Sequence, residues 1–323
     1  MENTGHAVSA NPTRNRIRRI ILIISFACFI IWLTKPAHAG EPFILHMLDV
    51  GQGQSILIET DGHYLLIDGG GRDASSFVIS YLKQQGVLKL DYIIASHYDE
   101  DHIAGLIGAL SVFPVDYCLL PSYRGEGKLY QSFCVAAVSN GCIIEHPGLK
   151  STYSIGNAQI EVAGPVSSDY AAENDRSLAV RVSFGDTSYL ICGDAEHQAE
   201  TDMVNCGEDL HSDLYVVDHH GSNTSSTDAF LNRVSPEYAL ISCGRDNAFG
   251  HPATETLQRL KDHGCTVYRT DKQGTVIAYS DGNIIWFNKE PYSGYAGGDD
   301  DNSFIMGENR MDELIRATMP DLN

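Results

Sequence analysis

The amino-acid sequence predicts an α+β protein in which two β-sheets pack face to face and helices cover their outer surfaces, a four-layer αββα sandwich. Two observations predict this class. Runs of apolar and β-branched residues are grouped at the start of each half of the chain. Segments with helical spacing of apolar residues lie between the later runs. The 323-residue chain without its first 39 residues retains 284, which is enough for one large core.

The first half of the chain begins with strands and continues with alternating helices and strands. The segments FILHMLDV, SILIE and YLLID are separated by Gly-Gln-Gly and Asp-Gly turns, and they predict a β-meander. Helical spacing then covers 74–85, the apolar segment DYIIAS predicts a buried strand, and 103–110 is helical again. Between 115 and 148 the pattern is mixed, with a strand at 117–120 and a helix near 130–138.

The second half of the chain repeats this layout. Helices are predicted after Glu196 and near 228–233 and 253–263. We expect one domain over residues 40–290, followed by an acidic, flexible tail over 291–323 that contains the GGDDD segment. Strands are predicted at 159–163, 178–184, 188–192, 214–217, 238–242, 266–268, 275–278 and 284–287.

Residues 1–39 have the pattern of a secretory signal peptide. A stretch with four arginines precedes an apolar run from Ile20 to Leu33, and Ala37-His38-Ala39 supplies an A-x-A cleavage site. The run of 14 residues is shorter than the ~20 that a membrane-spanning helix needs, so cleavage is favoured over a permanent membrane anchor. With either alternative the remainder is secreted or lies in the cell envelope, and only an uncleaved leader would contact the membrane.

The protein is strongly acidic, with a formal net charge of −20 over the whole chain. The leader removes five of the 22 basic and one of the 42 acidic residues, so the remainder carries 17 and 41 and a net charge of −24. Such a charge repels nucleic acid at long range, so the chain has no electrostatic footprint of a dedicated DNA-binding surface. An anionic substrate would have to be attracted locally, by metal ions.

Seven cysteines follow the leader, and an odd number excludes complete internal pairing. No two of them have C-x-x-C spacing, which argues against a structural zinc site. An oxidising compartment permits disulfides without requiring them, and Cys134 with Cys142 is a candidate pair.

Four side chains that can bind metal lie in the six-residue segment HYDEDH, which follows the apolar strand DYIIAS and precedes a helix. Imidazole and carboxylate groups hold zinc, manganese or iron, and alternate positions on an extended loop can converge on two neighbouring ions. A solvated acidic loop that caps the helix is the alternative, but it accounts only for the acids. We therefore predict that the ligands include His97, Asp99, Asp101 and His102.

The pattern H-x-D-x-D-H-x-x-G resembles the signature of the metallo-β-lactamase superfamily, in the variant in which Asp99 stands where many members have histidine. That variant is similar to the hydrolase domain of the ComEC competence proteins. The resemblance covers about residues 45–279 and implies the four-layer sandwich of the metallo-β-lactamase type. Segments that agree with it in order and spacing are LDVGQGQSILI, LLIDGG, ENDRSLAVRVSFG, YLICGDAE, VDHHGS and FGHPATETLQRL.

The resemblance implies a role for each matching residue. Asp194 would bridge two ions about 3.5–4 Å apart, and His219 would close the coordination shell. Asp68 would brace the metal loop without binding metal. His220 would contact substrate or support a ligand, with a surface histidine as the alternative. His251 would reach the reacting phosphate, with a helix-start residue as the alternative.

Departures from the family pattern bear on the metal and on substrate contacts. Asn174 and Ser177 stand where many members have another histidine ligand, so one ion would be held less tightly. Three aspartates among the ligands favour Mn²⁺ and leave Zn²⁺ open. Gln54 stands where the ComEC-like pattern has Asp, which would alter substrate contacts. Other histidines lack such spacing and are expected on the surface or in packing contacts, among them His46, His63, His146, His197, His211 and His263.

Together these features predict an exported hydrolase with two divalent ions, Zn or Mn. The ions would lower the pKa of a bridging water to give hydroxide, which Asp101 would orient, while His220 or His251 donates to the substrate. The resemblance implies phosphodiester cleavage, of DNA or of a small nucleotide. The net charge of −24 favours small phosphodiesters or short single strands over duplex. The alternatives are a β-lactam or lactone hydrolase, which Asp99 disfavours, and a non-catalytic metal-binding scaffold, which the intact ligand set disfavours.

Overall fold

The computed structural model describes residues 41–294 of the chain. The predicted signal peptide (1–39) and all but the first four residues of the predicted tail (291–323) lie outside these residues, so both stay predictions. Within residues 41–294, every helix is too short or too polar to cross a membrane.

The first sheet has eight strands, in the order β15-β14-β1-β2-β3-β4-β5-β6. The first three strands form the predicted antiparallel meander, and the third to the sixth run parallel to one another. The eight strands are β1 (Phe43–Met47), β2 (Ile56–Thr60), β3 (His63–Ile67), β4 (Leu90–Ile94), β5 (Val115–Leu119), β6 (Ile143–Glu145), β14 (Val276–Ser280) and β15 (Ile285–Phe287).

The second sheet has seven strands, in the order β13-β12-β11-β10-β9-β8-β7. Its first four strands in the chain pair antiparallel, and the last four run parallel, with the fourth common to both sets. The seven strands are β7 (Thr152–Ile155), β8 (Ala158–Gly164), β9 (Ala179–Phe184), β10 (Thr187–Ile191), β11 (Leu214–Val216), β12 (Tyr238–Ile241) and β13 (Thr266–Arg269).

Helices cover the outer surfaces of both sheets, and apolar side chains fill the three interfaces between the four layers. Between the sheets, the rings of Phe43 and Tyr189 stack with centroids 4.5 Å apart. The predicted αββα sandwich is confirmed. The helices are α1 (Ser75–Gln84), α2 (Glu100–Val112) and α3 (Gly127–Asn140) on the first sheet, α4 (His197–Asn205), α5 (Asp228–Val234) and α6 (Thr254–Asp262) on the second, and the short α7 (Thr270–Gln273).

Some local features differ from the sequence-based expectations. The short strands β6 and β7 lie at sheet edges and were not predicted, because most of their side chains are exposed or only partly buried and give no apolar pattern. The Cys134–Cys142 disulfide is not formed, and both residues are free thiols. Cys142 instead donates a hydrogen bond through Sγ to the carbonyl oxygen of Ala137 (3.4 Å).

His46 belongs to the packing histidines, since its side chain is buried in β1 and Nδ1 lies 2.8 Å from the hydroxyl of Tyr81. Burial lowers the pKa of His46 to about 4. Between that value and the unfolded pKa of about 6.5 the unfolded chain binds more protons, so stability falls as the pH falls.

When the pH is lowered from 7 to 5, the free energy of unfolding should fall in both proteins. We expect it to fall by about 2 kcal/mol less in His46→Gln than in the wild type. Urea unfolding at both pH values measures this difference. His211→Gln, at an exposed position, is the matched control and should follow the wild type. A His46→Gln protein with the wild-type pH dependence would contradict the argument.

Candidate metal centre

The candidate metal centre lies where parallel strands of both sheets end. In the first sheet, β3 is followed by Asp68 and β4 by the HYDEDH loop that leads into α2. In the second sheet, β10 is followed by Asp194 and β11 by His219 and His220. Because the carboxyl ends of parallel strands share one edge, residues far apart in the sequence meet there.

His97, His102 and Asp194 form the first of two groups of potential ligands, and their ligand atoms lie within 4.8 Å of one another. Nε2 of His102 is 3.2 Å from Oδ1 of Asp194, and Nε2 of His97 is 3.8 Å from Oδ2 of the same carboxylate. All three side chains are buried. Nε2 of His97 has no hydrogen-bond partner, although buried polar atoms are normally paired. A bound cation would satisfy this atom, so the residues fit a metal ion.

Asp101, His102 and His220 form the second group, again with ligand atoms within 4.8 Å. Nε2 of His220 lies 3.4 Å from Oδ2 of Asp101 and 3.3 Å from Nε2 of His102. It is also 3.5 Å from Oδ2 of Asp194. His102 is common to both groups, and the Asp194 carboxylate lies between them.

The ionisation of the site couples its imidazoles to its carboxylates. Burial by itself would lower the pKa of His102, but the charges of Asp194 and Asp68 outweigh burial and raise that pKa well above its usual value. The pKa of His220 is raised to about 9, because Asp194 and Asp101 outweigh the effect of burial. Burial acts to raise the pKa of Asp101, yet the hydrogen bond with His220 and the charge of His102 lower it. Because an imidazole must lose its proton to bind a metal ion, metal uptake should release protons from this site.

Asp68 contacts His102 and the residues around it, in the bracing role that the sequence resemblance implied. One carboxylate oxygen accepts hydrogen bonds from the Ser96 hydroxyl (2.7 Å) and from Gln54 Nε2 (3.0 Å), and it lies 2.8 Å from Nδ1 of His102. The other accepts from the Ser96 amide (2.8 Å). Gln54 is buried and contacts Asp68, so the expected substrate contact of Gln54 is replaced by a supporting role.

Two glycines let the loop after β3 approach α2 closely. The amide of Gly69 donates to the carbonyl of His102 (2.7 Å), and the amide of Gly105 donates to the carbonyl of Gly70 (2.9 Å). A Cβ atom on Gly105 would collide with the carbonyl oxygen of Gly69. Because these glycines have no side chains, the first turn of α2, which carries the ligands, can lie against the loop of Asp68.

We expect Asp68→Asn to weaken metal affinity by about 10–100-fold, because residues that orient ligands have effects of this size. Asn tolerates the left-handed backbone of Asp68 (φ 56) but replaces the carboxylate beside His102 with a neutral amide. Competition with a metal chelator measures the affinity, and thermal unfolding checks the fold. Unchanged affinity would show that Asp68 acts only in packing.

His219 and His220 follow β11 on a turn in which both have left-handed backbone, with φ of 49° and 56°. The His220 side chain is only 3% exposed and belongs to the second group of ligands. Its Nδ1 lies 2.9 Å from the carbonyl of Ser242, which leaves Nε2 for a metal. The His219 side chain is 22% exposed, and its Nδ1 lies 3.0 Å from Glu196. Burial and these contacts therefore add His220 to the candidate ligands. The assignment of His219 stays a prediction, because its Nε2 lies 3.8 Å from Oδ2 of Asp194, the same distance as Nε2 of His97.

The other predicted residues lie at the rim or beside the ligands. Asp99 is 52% exposed, and one carboxylate oxygen lies 3.6 Å from Nε2 of His97. The ring centroid of His251 is 5.5 Å from that of His219 and 6.3 Å from that of His220. Burial, followed by the charges of those two histidines, lowers the pKa of His251 to about 4, so its ring is neutral at neutral pH.

Asn174 and Ser177, which replace a family histidine, hold other site residues in place. Ser177 Oγ accepts a hydrogen bond from the Asp194 amide (3.3 Å), and Asn174 Nδ2 donates to Glu196 (3.4 Å). Sequence reasoning missed Ser96, Glu196 and Gln52. Their positions beside the recognised motifs were the only available signal, since serine, glutamate and glutamine have no distinctive spacing.

The geometry agrees with a comparison against protein families. Residues 48–245 match the model of the metallo-beta-lactamase superfamily, more than half of the chain, so this chain belongs to that superfamily. Its members typically bind divalent metal ions, often two.

Curated relatives are bacterial proteins, and a competence protein is among them. The chain is 29% identical over 248 residues to "ComE operon protein 3" of Bacillus subtilis (strain 168), covering 71% of this chain and 32% of that relative. It is 33% identical over 230 residues to "Competence protein ComA" of Neisseria gonorrhoeae, covering 71% of this chain and 31% of that relative. The chain thus spans about a third of the length of these relatives.

A solved structure shares the fold. Igni18, described as a novel metallo hydrolase from the hyperthermophilic archaeon Ignicoccus hospitalis, is 14% identical and has a TM-score of 0.51. The similarity covers 72% of this chain and 98% of Igni18, and at this identity it supports the fold alone.

Proposed function

We propose that this protein is an extracytoplasmic, metal-dependent phosphodiesterase that acts on DNA single strands or small nucleotides. The observation that carries the proposal is the pair of largely buried ligand groups that share His102, with the Asp194 carboxylate of one group 3.5 Å from Nε2 of His220 in the other. The similarity to competence proteins supports a nucleic-acid substrate. The leader pattern of residues 1–39 supports export.

We assign His97 and Asp194 to one ion, with Asp99 at the rim, and Asp101, His102 and His220 to a second. Oδ2 of Asp194 lies 3.8 Å from Nε2 of His97 and 3.5 Å from Nε2 of His220, which supports a role for this carboxylate at both ions. The three aspartates favour Mn²⁺ over Zn²⁺ because manganese prefers hard oxygen ligands.

Two such ions, when bound, supply Lewis acidity and a water nucleophile that is active near neutral pH. Asp101 stays ionised because its pKa is lowered, so it can accept a hydrogen bond from that water and orient it. The requirement for metal also reconciles an anionic substrate with a protein of net charge −20.

We assign to the neutral His251 ring a hydrogen bond to a substrate oxygen. The Gln52 side chain accepts through Oε1 from the Gly244 amide (3.1 Å), which turns its Nε2 towards Nδ1 of His251, 3.5 Å away. Because Gln52 Nε2 can only donate, Nδ1 of His251 is the acceptor, and the proton of the neutral ring lies on Nε2.

The test is hydrolysis by the metal-stripped protein after it is refilled with Mn²⁺ or Zn²⁺. The substrates are bis(p-nitrophenyl) phosphate, single-stranded DNA and double-stranded DNA, with a lactone and a β-lactam beside them. We expect metal-restored cleavage of the phosphodiesters, with single strands preferred to duplex. Metal binding without phosphodiester cleavage, or cleavage of the lactone or β-lactam alone, would overturn the proposal.

A further inference from the structure

An exposed aromatic ring stands beside the candidate metal centre. Phe249 lies in the loop 244–251 between β12 and α6, and its side chain is 70% exposed. The ring stacks on His251 with an interplanar angle of 28° and centroids 5.7 Å apart. Most of its apolar surface therefore remains available to another planar group.

The loop that carries Phe249 is held by several hydrogen bonds. Asn247 Oδ1 accepts from the amides of Phe249 (3.1 Å) and His251 (3.0 Å). Asn247 Nδ2 donates to the carbonyls of Gly244 (2.8 Å) and His251 (2.6 Å). Gln52 then ties the start of the loop to the turn after β1 through the Gly244 amide. The ring is thus presented in a defined position and loses little conformational freedom when it binds a partner.

The rings of Phe249, His251 and the two metal-site histidines form a continuous series. From Phe249 the centroid separations are 5.7 Å to His251, then 5.5 Å to His219 and 6.3 Å to His220. A substrate whose phosphodiester lies at the metal centre, beside His251, would therefore place the next bulky group of its chain near Phe249.

We propose that Phe249 is a stacking platform for the nucleobase next to the cleaved phosphodiester, so that the substrate class is nucleotides and single-stranded nucleic acid. This inference rests on the proposed function for the position of the phosphate. Stacking of a base on an aromatic ring requires no charged side chain and does not depend on the nucleotide sequence. It supplies affinity that an acidic surface lacks, since lysine and arginine contacts to phosphates normally provide that affinity.

The first experiment compares two esters that share a leaving group, thymidine 5′-(p-nitrophenyl phosphate) and methyl p-nitrophenyl phosphate, with the Mn²⁺-loaded protein. Phe249→Ala should lower kcat/KM for the thymidine ester by about 5–150-fold, the range that loss of one stacked base produces. The methyl ester should change by less than about twofold, and Phe249→Trp should retain the preference for thymidine. Ile284→Ala removes another exposed apolar side chain, in the turn before β15, and should leave both esters unaffected.

The second experiment measures binding without turnover. Titration calorimetry compares thymidine 5′-monophosphate with 2-deoxyribose 5-phosphate, which has no base. The wild type and Phe249→Trp should prefer the nucleotide, Phe249→Ala should not, and the fluorescence of Phe249→Trp should be quenched only by the nucleotide.

The outcomes separate this inference from the proposed function. If both esters are cleaved and Phe249→Ala slows them equally, the stacking platform is overturned and the phosphodiesterase stands. If neither ester is cleaved but the nucleotide preference depends on Phe249, the phosphodiesterase is overturned and the platform stands. An undiminished nucleotide preference in Phe249→Ala overturns the platform whatever the activity.

Discussion

Asp194→Ala is expected to lower metal-restored phosphodiester hydrolysis by on the order of 10³-fold, because in the proposed centre this carboxylate would serve two ions and its removal would affect both. The Asp194 carboxylate lies between the two ligand groups, within 3.8 Å of imidazole nitrogens of His97, His102 and His220. The charge of Asp194 is also the main influence that raises the pKa of His102 and of His220 against burial. Because the variant lacks this candidate ligand, it should bind fewer metal ions than the wild type, although its imidazoles lose protons more easily. Elemental analysis of the dialysed proteins and initial rates of hydrolysis measure the two effects.

Asp186→Ala is the matched control, since Asp186 is an exposed carboxylate at the other end of strand β10. It should retain wild-type metal content and rate. Circular dichroism separates loss of metal from loss of fold in the Asp194 variant. A folded Asp194→Ala protein with full metal content and full turnover would exclude a binuclear centre around this carboxylate.

His220→Asn is expected to impair the protein far more than His219→Asn. The His220 side chain is buried within the second ligand group, so we expect its loss to remove about one metal ion and to lower turnover by about 10²–10³-fold. His219 is partly exposed and contacts Glu196, and its loss should lower turnover by about tenfold or less. Asparagine is chosen because it tolerates the left-handed backbone that both histidines adopt.

The two variants serve as controls for each other, since they differ by one position on one turn. Metal content and turnover are compared for both after reloading with Mn²⁺. A greater loss of metal from His219→Asn would restore the ligand assignment made from the sequence and contradict the one made from geometry.

The strands and helices were predictable because burial is periodic in this chain. Strand β4 and helix α2 both follow clear apolar patterns, and the HYDEDH segment that joins them, whose last three residues begin α2, is short enough to locate from those patterns alone. The edge strands β6 and β7 were not, because short strands with few buried residues have little periodicity.

Within the site, motif spacing located the ligands but could not orient them. Two adjacent histidines are equivalent in the sequence, and the deeper burial of the His220 side chain depends on the left-handed turn that both residues form. Similarly, Gln54 departs from the family pattern, and its contact with Asp68 could not be foreseen because it depends on how the backbone of this turn packs against α2 through the Gln54 amide and the Asp101 carbonyl (3.1 Å). Phe249 was not singled out, since one aromatic residue in a loop has no periodic signal.

The glycine contact beneath the site has a consequence for protein engineering. Gly105 lies inside helix α2, where replacing glycine with alanine usually stabilises a protein by about 1 kcal/mol. Here the added methyl group would meet the Gly69 carbonyl and force apart two backbone segments that are joined by hydrogen bonds. A thermostabilisation library built on helix propensity would thus include Gly105→Ala as a favourable change and, in doing so, displace the turn that presents Asp101 and His102.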